Sequence, residues 1–206
     1  MLFRSGNPSN PGYVTKRYDR VKQEHSLYVL AAGADIWGTT DQEMMAYQEI
    51  PGSRDFTMTA LLQDTTITHN NAKVGIEFRS STNTVANNYL YTLAYSVGQR
   101  KIVVSGGDFT DGSAVNITEP YAGEGDVMQP IWFKWVVTST NGPRIATGYT
   151  SKDGTTWTER FTKQIPYTKS VYVGVNVCSH AALGGSLFKD LTLEVAPPKG
   201  TILYFR

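Results

Sequence analysis

The stretch that decides the fold is VYVGVNVC, residues 171–178. Four valines alternate there with Tyr172, Gly174, Asn176 and Cys178. Because successive side chains of a β-strand point to opposite faces of a sheet, the valines share one face and the other four residues share the second. The stretch therefore predicts a strand whose valine face lies in a hydrophobic core.

The same two-residue period recurs along the chain, and turn residues separate the runs. In residues 73–80, Ile76 faces one side whereas Glu77 and Arg79 face the other. Strand-like runs cover residues 27–31, 56–63, 73–80, 89–96, 101–105, 131–138, 144–150, 171–178 and 187–195. The one helix-like run, residues 42–47, is too short to be more than a turn. Many short strands separated by turns predict an all-β sandwich or barrel.

A second aromatic stretch, IWFKWVV at residues 131–137, separates core from outward positions. Phe133 and Trp135 share the face expected to be core, whereas Trp132 and Lys134 share the opposite face. The predicted core comprises Val74, Ile76, Phe78, Phe133, Trp135, Val171, Val173, Val175 and Val177.

Residues 1–20 combine Pro8 and Pro11 with polar residues and lack apolar periodicity. We therefore expect an extended arm or linker over residues 1–20, followed by one sandwich domain over residues 21–206. The first residues lack the apolar region of a signal peptide, and no window approaches the roughly 20 apolar residues of a membrane helix. We expect neither a signal peptide nor membrane insertion.

Composition and charge favour a globular protein that does not bind nucleic acid. Hydrophobic residues make up 40% of the chain and charged residues 18%, which is enough apolar material for a core. The net charge is +1, and the one basic run, from Lys16 to Lys22, is interpreted as a solvated part of the arm. The single cysteine, Cys178, lies in the valine-rich strand, so we expect a buried thiol and no intrachain disulfide.

Six segments, taken in order, resemble the bacterial DUF1349 or laminin G-like family of concanavalin A-like domains. They cover residues 32–42, 72–79, 130–135, 148–157, 171–180 and 188–191. The resemblance implies a concanavalin A-like jelly roll, which is a two-sheet antiparallel β-sandwich. It implies no single function, because such domains occur beside glycosidases, in surface proteins and in phage particles. The chain departs from the family's pattern at Glu43 and Glu77.

Residue patterns for catalysis or zinc binding are absent from the sequence. Glycosidases need two carboxylates separated by about 5–9.5 Å, whereas Glu77 stands alone on its strand beside Arg79, which favours its ionised form. No histidine lies near a nucleophile-elbow pattern, and no histidine or cysteine spacing fits zinc. We therefore predict a protein that is not an enzyme and has no cofactor. The loop carboxylates of residues 106–129 leave a calcium ion as an alternative, although their spacing is not that of an EF-hand.

Carbohydrate recognition is the function that the outward-facing residues favour. Sugar rings stack on flat aromatic side chains, and their hydroxyls bond to polar and charged groups. The predicted ligand-binding residues are Glu77, Arg79, Trp132, Lys134, Tyr172, Asn176 and His180. The strand with Glu77 and Arg79 and the strand with Tyr172 and Asn176 would share one exposed face if they belong to the same sheet, which the sequence alone does not establish. Trp37 and Trp157 lie in the family-like segments and are interpreted as structural.

Two functions follow. The first is a non-catalytic carbohydrate-binding or surface-adhesion module whose partner is a glycan or a cell-surface polysaccharide. The alternative is a structural or decoration protein of a phage capsid or tail, in which the N-terminal arm contacts other virion proteins. Both place the protein on an extracellular surface or a virion, and neither needs nucleic acid.

Overall fold

Strands form all the regular secondary structure of the residues that the structure describes. A computed structural model describes residues 2–4, 12–37, 40–51, 54–67, 69–82, 89–110, 113–114, 129–139, 143–166, 169–180 and 182–197. The strands are β1 (Leu2–Arg4), β2 (Tyr13–Asp19), β3 (Glu24–Ala31), β4 (Ile36–Trp37), β5 (Thr40–Asp41), β6 (Met44–Pro51), β7 (Phe56–Thr65), β8 (Lys73–Arg79), β9 (Tyr89–Ser96), β10 (Lys101–Thr110), β11 (Ser113–Ala114), β12 (Ile131–Ser139), β13 (Arg144–Ser151), β14 (Thr158–Ile165), β15 (Ser170–Cys178) and β16 (Gly184–Val195). Within these ranges no helix is long and apolar enough to cross a membrane.

Two seven-stranded antiparallel sheets enclose one hydrophobic core. The first sheet has the strand order β1-β6-β15-β8-β9-β10-β11, and the second has the order β14-β13-β12-β7-β16-β3-β2. β4 and β5 form a separate hairpin in the segment between β3 and β6. The prediction of an all-β, two-sheet antiparallel sandwich is confirmed.

The core lies between the two sheets, and every predicted core residue is at most 1% exposed, which confirms that prediction. Trp135 of β12 connects the sheets. Its indole Nε1 donates to the carbonyl oxygen of Ile76 at 3.2 Å, and the Phe78 ring packs edge-on against it at 4.9 Å between ring centroids. Gly148 permits this packing, because a Cβ at that position would lie 2.9 Å from Cζ3 of Trp135.

Residues 44–47 belong to strand β6, so the expectation of a turn over residues 42–47 is wrong there. Met44 packs in the core between the sheets, whereas the next residue, Met45, lies on the opposite face of the first sheet. Both side chains are buried. Because consecutive residues, Met44 and Met45, are apolar and lie on opposite faces, the sequence does not show the alternation that predicts a strand.

The prediction of an extended arm over residues 1–20 is wrong for the parts that the structure describes. Leu2–Arg4 pairs with β6, and Tyr13–Asp19 pairs along its length with β3 at the edge of the second sheet. Val14 packs against the core. The strand has no clear sequence signal because an edge strand can expose most of its side chains, and in β2 Val14 and Thr15 alone are half-buried.

Removing β2 should destabilise the sandwich, because β3 would lose its hydrogen-bonded neighbour and the core would lose Val14. A chain without residues 1–20 should melt at least about 5 °C below a chain without residues 1–11, since about 1 kcal/mol shifts the melting temperature at this size by roughly 2–4 °C. Thermal unfolding followed by circular dichroism measures the difference. Equal melting temperatures would show that β2 contributes nothing to stability.

Candidate functional site

The outer face of the first sheet, opposite the core, brings together four of the predicted site residues. In the pairing of β15 with β8, Tyr172 lies opposite Arg79 and Gly174 lies opposite Glu77. Because directly paired residues of neighbouring strands point to the same side, Glu77, Arg79, Tyr172 and Asn176 share this face. That part of the prediction is confirmed.

The expectation that this face is exposed is wrong for three of these residues. Glu77 and Asn176 are 0% exposed and Arg79 is 1% exposed. The reason is the described part of the segment between β3 and β6, residues 32–37 and 40–43, which we call the cover segment. Its Ile36 forms a small apolar cluster with Leu90 and Cys178 on the outer face.

Further contacts hold the cover segment to the sheet. The Ser105 hydroxyl of β10 donates to the carbonyl oxygen of Ile36, and the Cys178 thiol lies 3.6 Å from the carbonyl oxygen of Gly33. Burial raises the pKa of the Cys178 thiol to about 12, so it stays protonated at neutral pH. The buried thiol expected from the sequence is confirmed.

Where the cover segment meets the outer face of the first sheet lies the buried polar cluster, which comprises Glu43, Glu77, Arg79, Thr92 and Asn176. Nη1 of Arg79 lies 3.4 Å from Oε1 of Glu43 and 3.3 Å from Oε1 of Glu77. The Thr92 hydroxyl donates to Oε2 of Glu77 at 2.6 Å, and Nδ2 of Asn176 donates to Oε2 of Glu43 at 2.9 Å. Each carboxylate therefore has a charged donor and a neutral donor.

Glu43 is the member of the cluster that the sequence did not reveal. It lies at the end of the cover segment, one residue before β6, where no alternation assigns it to a face. Its one sequence signal is that it departs from the family-like pattern. Chemically, one guanidinium contacts both carboxylates and favours their charged forms.

Asp35 connects the cover segment to the rest of the domain through two contacts. Its Oδ1 pairs with the ammonium of Lys73 on β8, and its Oδ2 lies 3.0 Å from Nε2 of His180. The His180 ring in turn stacks on His69, with ring centroids 4.5 Å apart. Partial burial raises the pKa of Asp35, but the hydrogen bond from Lys73 and the nearby His180 outweigh it, and the pKa lies below its usual value. His180 thus contacts the cover segment instead of joining Glu77.

Tyr172 is the predicted residue of this face that stays half-buried. Its ring meets Tyr47 of β6 edge-on at 5.4 Å between centroids. Burial, together with the nearby Glu49 and Tyr47, raises the pKa of the Tyr172 phenol. This tyrosine pair lies beside the buried polar cluster at the β6 side of the sheet.

Trp132 and Lys134 lie on the other sheet, on the outer face of the second sheet. The ammonium of Lys134 lies 4.0 Å from the ring centroid of Trp157 and 4.8 Å from that of Tyr149. Lys134, Tyr149, Trp157 and Trp132 are all half-buried, and we call them the aromatic–lysine cluster. Partial burial lowers the pKa of Lys134. The seven predicted site residues therefore do not form one site.

The turn of residues 151–157 shapes one side of this cluster. Asp153 accepts hydrogen bonds from the backbone N–H groups of Thr156 at 2.7 Å and Thr155 at 2.8 Å, which hold its pKa well below the usual range. Gly154 has a φ of 74° and lies against Trp132, where a Cβ would be 2.8 Å from Cε2 of the indole. The turn thus needs glycine both for its backbone conformation and for its contact with Trp132.

The described residues contain no group of three or more histidine, cysteine, aspartate or glutamate side chains arranged to hold a metal ion. The side chains of the calcium alternative, in residues 106–129, lie almost entirely outside the described part of the chain, as does the side chain of Trp37.

Solved structures share this architecture at low sequence identity. A functionally unknown protein from Saccharomyces cerevisiae matches with a TM-score of 0.61 and 15% identity over 91% of this chain and 97% of that chain. The shared fold is the two-sheet antiparallel β-sandwich described above. LamAcat from Zobellia galactanivorans matches with a TM-score of 0.53 and 6% identity over 96% of each chain.

A bifunctional GH43-CE protein from Bacteroides eggerthii also matches, with a TM-score of 0.55 and 14% identity over 84% of this chain but 21% of that chain. At such identities the likeness shows the fold alone. No protein-family model matches the chain, and no curated protein sequence matches it. The likeness to the DUF1349 family therefore rests on the sequence segments alone.

Glu77→Ala should destabilise the fold, because it removes one of the two carboxylates from a buried guanidinium and takes the acceptor from Thr92. Breaking a buried ion pair costs about 3–5 kcal/mol. Glu49→Ala, which removes an exposed carboxylate from the same face, should change stability by less than about 1 kcal/mol. Urea unfolding of both variants measures the costs. Equal, small effects would mean that the cluster contributes little to stability.

The ion pair of Asp35 with Lys73 should make stability fall in acid. Because its pKa is lower in the folded protein than in the unfolded chain, its contribution is present above about pH 4 and is lost as the pH falls through the folded value. The difference in unfolding free energy between the wild type and Asp35→Asn should therefore shrink between about pH 6 and pH 3. Urea unfolding across this range checks it, and a constant difference would contradict it.

Proposed function

We propose that this chain is a non-catalytic carbohydrate-binding β-sandwich and that the glycan lies on the aromatic–lysine cluster. The observation that supports this most is the position of Lys134, whose ammonium is held over two aromatic rings on an outward face. Tyrosine and tryptophan offer a flat apolar body and a polar tip, which suits a sugar ring with its hydroxyl groups.

Lys134 is available as a donor to a ligand. An ammonium has three N–H donors and no acceptor. Among the described residues its contacts are the rings of Trp157 and Tyr149, and no carboxylate pairs with it. The rings fix the direction of the side chain before a ligand arrives, which reduces the entropy that binding removes.

Binding without turnover is supported by the placement of the carboxylates. A glycosidase needs one carboxylic acid that can donate a proton and a second carboxylate across the scissile bond. Glu43 and Glu77 do approach each other, but they share the guanidinium of Arg79 and are both fully buried. One reason for the particle-decoration alternative was a free N-terminal arm, and β1 and β2 tie parts of that region to the two sheets.

Trp157→Ala and Tyr149→Ala should each weaken glycan binding by about 1–3 kcal/mol, or roughly 5- to 150-fold, as expected when an aromatic anchor is lost. A glycan array identifies the ligand, and titration calorimetry measures the loss. Tyr172→Ala, which removes a half-buried tyrosine from the opposite sheet, is the matched control and should bind like the wild type.

Three other results would contradict the proposal. Equal binding by all three variants would place the glycan elsewhere. Steady release of reducing sugar would make the protein an enzyme. Assembly of the chain onto a capsid or tail, with no glycan bound, would favour the structural alternative.

A further inference from the structure

We propose that the ligand is a neutral linear polysaccharide, which crosses the outer face of the second sheet from the aromatic–lysine cluster to a second aromatic contact at β2. This inference rests on the proposed function and names the chemical class and the reach of its ligand. Three observations support it: a second aromatic cluster on the same face, the strand register that joins the two clusters, and the balance of charge along the face.

The second cluster comprises Tyr13, Arg17 and Tyr28, and we call it the aromatic–arginine cluster. Cζ of Arg17 lies 4.3 Å from the ring centroid of Tyr28, and the ring centroids of Tyr13 and Tyr28 are 6.4 Å apart. Gly185 lets the Tyr28 ring lie close against β16, because a Cβ there would be 1.9 Å from the phenol oxygen. Tyr13, which is 50% exposed, presents the accessible ring of this cluster.

Both clusters lie on the same face, as the strand register shows. Trp132 pairs with Leu61, Leu61 with Lys189, Lys189 with Ser26, and Ser26 with Arg17. Because paired residues point to the same side, these five positions form one row across the outer face. The row crosses four strand spacings of about 4.8 Å, which places its two ends roughly 19 Å apart.

Each end of the row carries a cation and a carboxylate. Asp19 follows Arg17 by two positions, so both face the same side of β2. Glu159 is the register partner of Tyr149, which in turn contacts Lys134. Hydrogen bonds from two backbone N–H groups of the turn after β2 lower the pKa of Asp19, so its carboxylate is ionised at neutral pH. Both ends therefore offer hydrogen-bond donors and acceptors side by side.

The middle of the row is neutralised within the protein. Lys189 donates to Glu24 at 2.9 Å, and this hydrogen bond raises the pKa of Lys189. Beside the row, the hydroxyl groups of Thr59 and Thr192 contact each other. A ligand that crosses this part of the face thus meets a closed ion pair and uncharged hydroxyl groups.

The balance of charge favours a neutral ligand. The register places three cations and five carboxylates on the described outer face, and the carboxylates not yet named are Asp64 and Glu194. A uniformly charged chain of either sign would meet like charges along its path, which costs affinity. A hydroxyl group both donates and accepts, so a neutral sugar can bond to the cations and to the carboxylates alike.

The separation of the clusters favours a polymer over a small sugar. A single sugar ring can contact one cluster at a time. A chain that reaches both makes its second contact intramolecularly, so its overall affinity exceeds that of either contact alone. The inferred ligand is accordingly an uncharged chain of hydroxyl-bearing sugars, bound across the strands along the row.

Affinity gel electrophoresis tests the class of ligand, with dextran, galactomannan and xyloglucan as neutral polymers and polygalacturonate as the acidic one. At least one neutral polymer should retard the wild type, and polygalacturonate should not. Raising the salt concentration should leave the retardation unchanged, because a neutral chain gains no attraction between net charges that salt could screen.

Tyr13→Ala tests the second contact, by calorimetry with the neutral polymer that binds and with its disaccharide. It should weaken polymer binding by about tenfold or more and leave disaccharide binding at the aromatic–lysine cluster unchanged, whereas Trp157→Ala should weaken both. Arg17→Gln, which removes the cation from Tyr28, should also weaken the polymer alone. Tyr18→Ala is the matched control: Tyr18 is 51% exposed on the same strand, but alternation places it on the opposite face, so polymer binding should equal that of the wild type.

The outcomes separate this inference from the proposed function. If the polymer binds no more tightly than its disaccharide and Tyr13→Ala has no effect, while Trp157→Ala still weakens binding, the extended ligand is wrong and the proposed function stands. Equal losses in Tyr13→Ala and Tyr18→Ala would also overturn the second contact. Binding of polygalacturonate that salt weakens would overturn the neutral class. If none of these polysaccharides and no glycan of the array binds, both are wrong. Melting temperatures near that of the wild type verify that each variant is folded.

Discussion

The antiparallel pairing of β8 with β15 is the constraint on which the rest of the first sheet depends. It sets Ile76 opposite Val175 and Glu77 opposite Gly174. Since side chains alternate between faces, a slip of one residue would turn Glu77 into the core and Ile76 out of it. Burying a carboxylate among apolar groups without partners costs several kcal/mol, so the register is strongly specified.

This register creates a second requirement on the outer face. Glu77 and Arg79 point away from the core, yet the cover segment buries them, and their charges need partners within the protein. Glu43, from the cover segment, pairs with Arg79, and Thr92, from β9, donates to Glu77. Such a network adds little stability over apolar packing, but it penalises the loss of any one member. It therefore ties the cover segment to one position on the sheet.

The two outer faces consequently differ in what they offer a ligand. On the first sheet the cover segment buries the central polar residues and pairs with them. The half-buried Tyr172 remains at the side of that face. On the second sheet, Lys134 and Arg17 lie over aromatic rings without an acidic partner among the described residues. Cations that are ordered in advance lose less conformational freedom on binding, which is why this face is the better candidate for recognition.

The sequence by itself determined the fold class, the core, and the placement of Glu77 with Arg79 on one face of its strand and of Tyr172 with Asn176 on one face of another, because period-two alternation is a local property of each strand. Only the tertiary structure decided that these two strands are neighbours and that most of their shared face is buried. That outcome depends on contacts between distant segments, such as Glu43 with Asn176, which are 133 positions apart. Packing likewise decided that β2 pairs at the edge of the second sheet and that Lys134 meets Trp157. Alternation assigns a side chain to a face, but it does not show which residues cover that face.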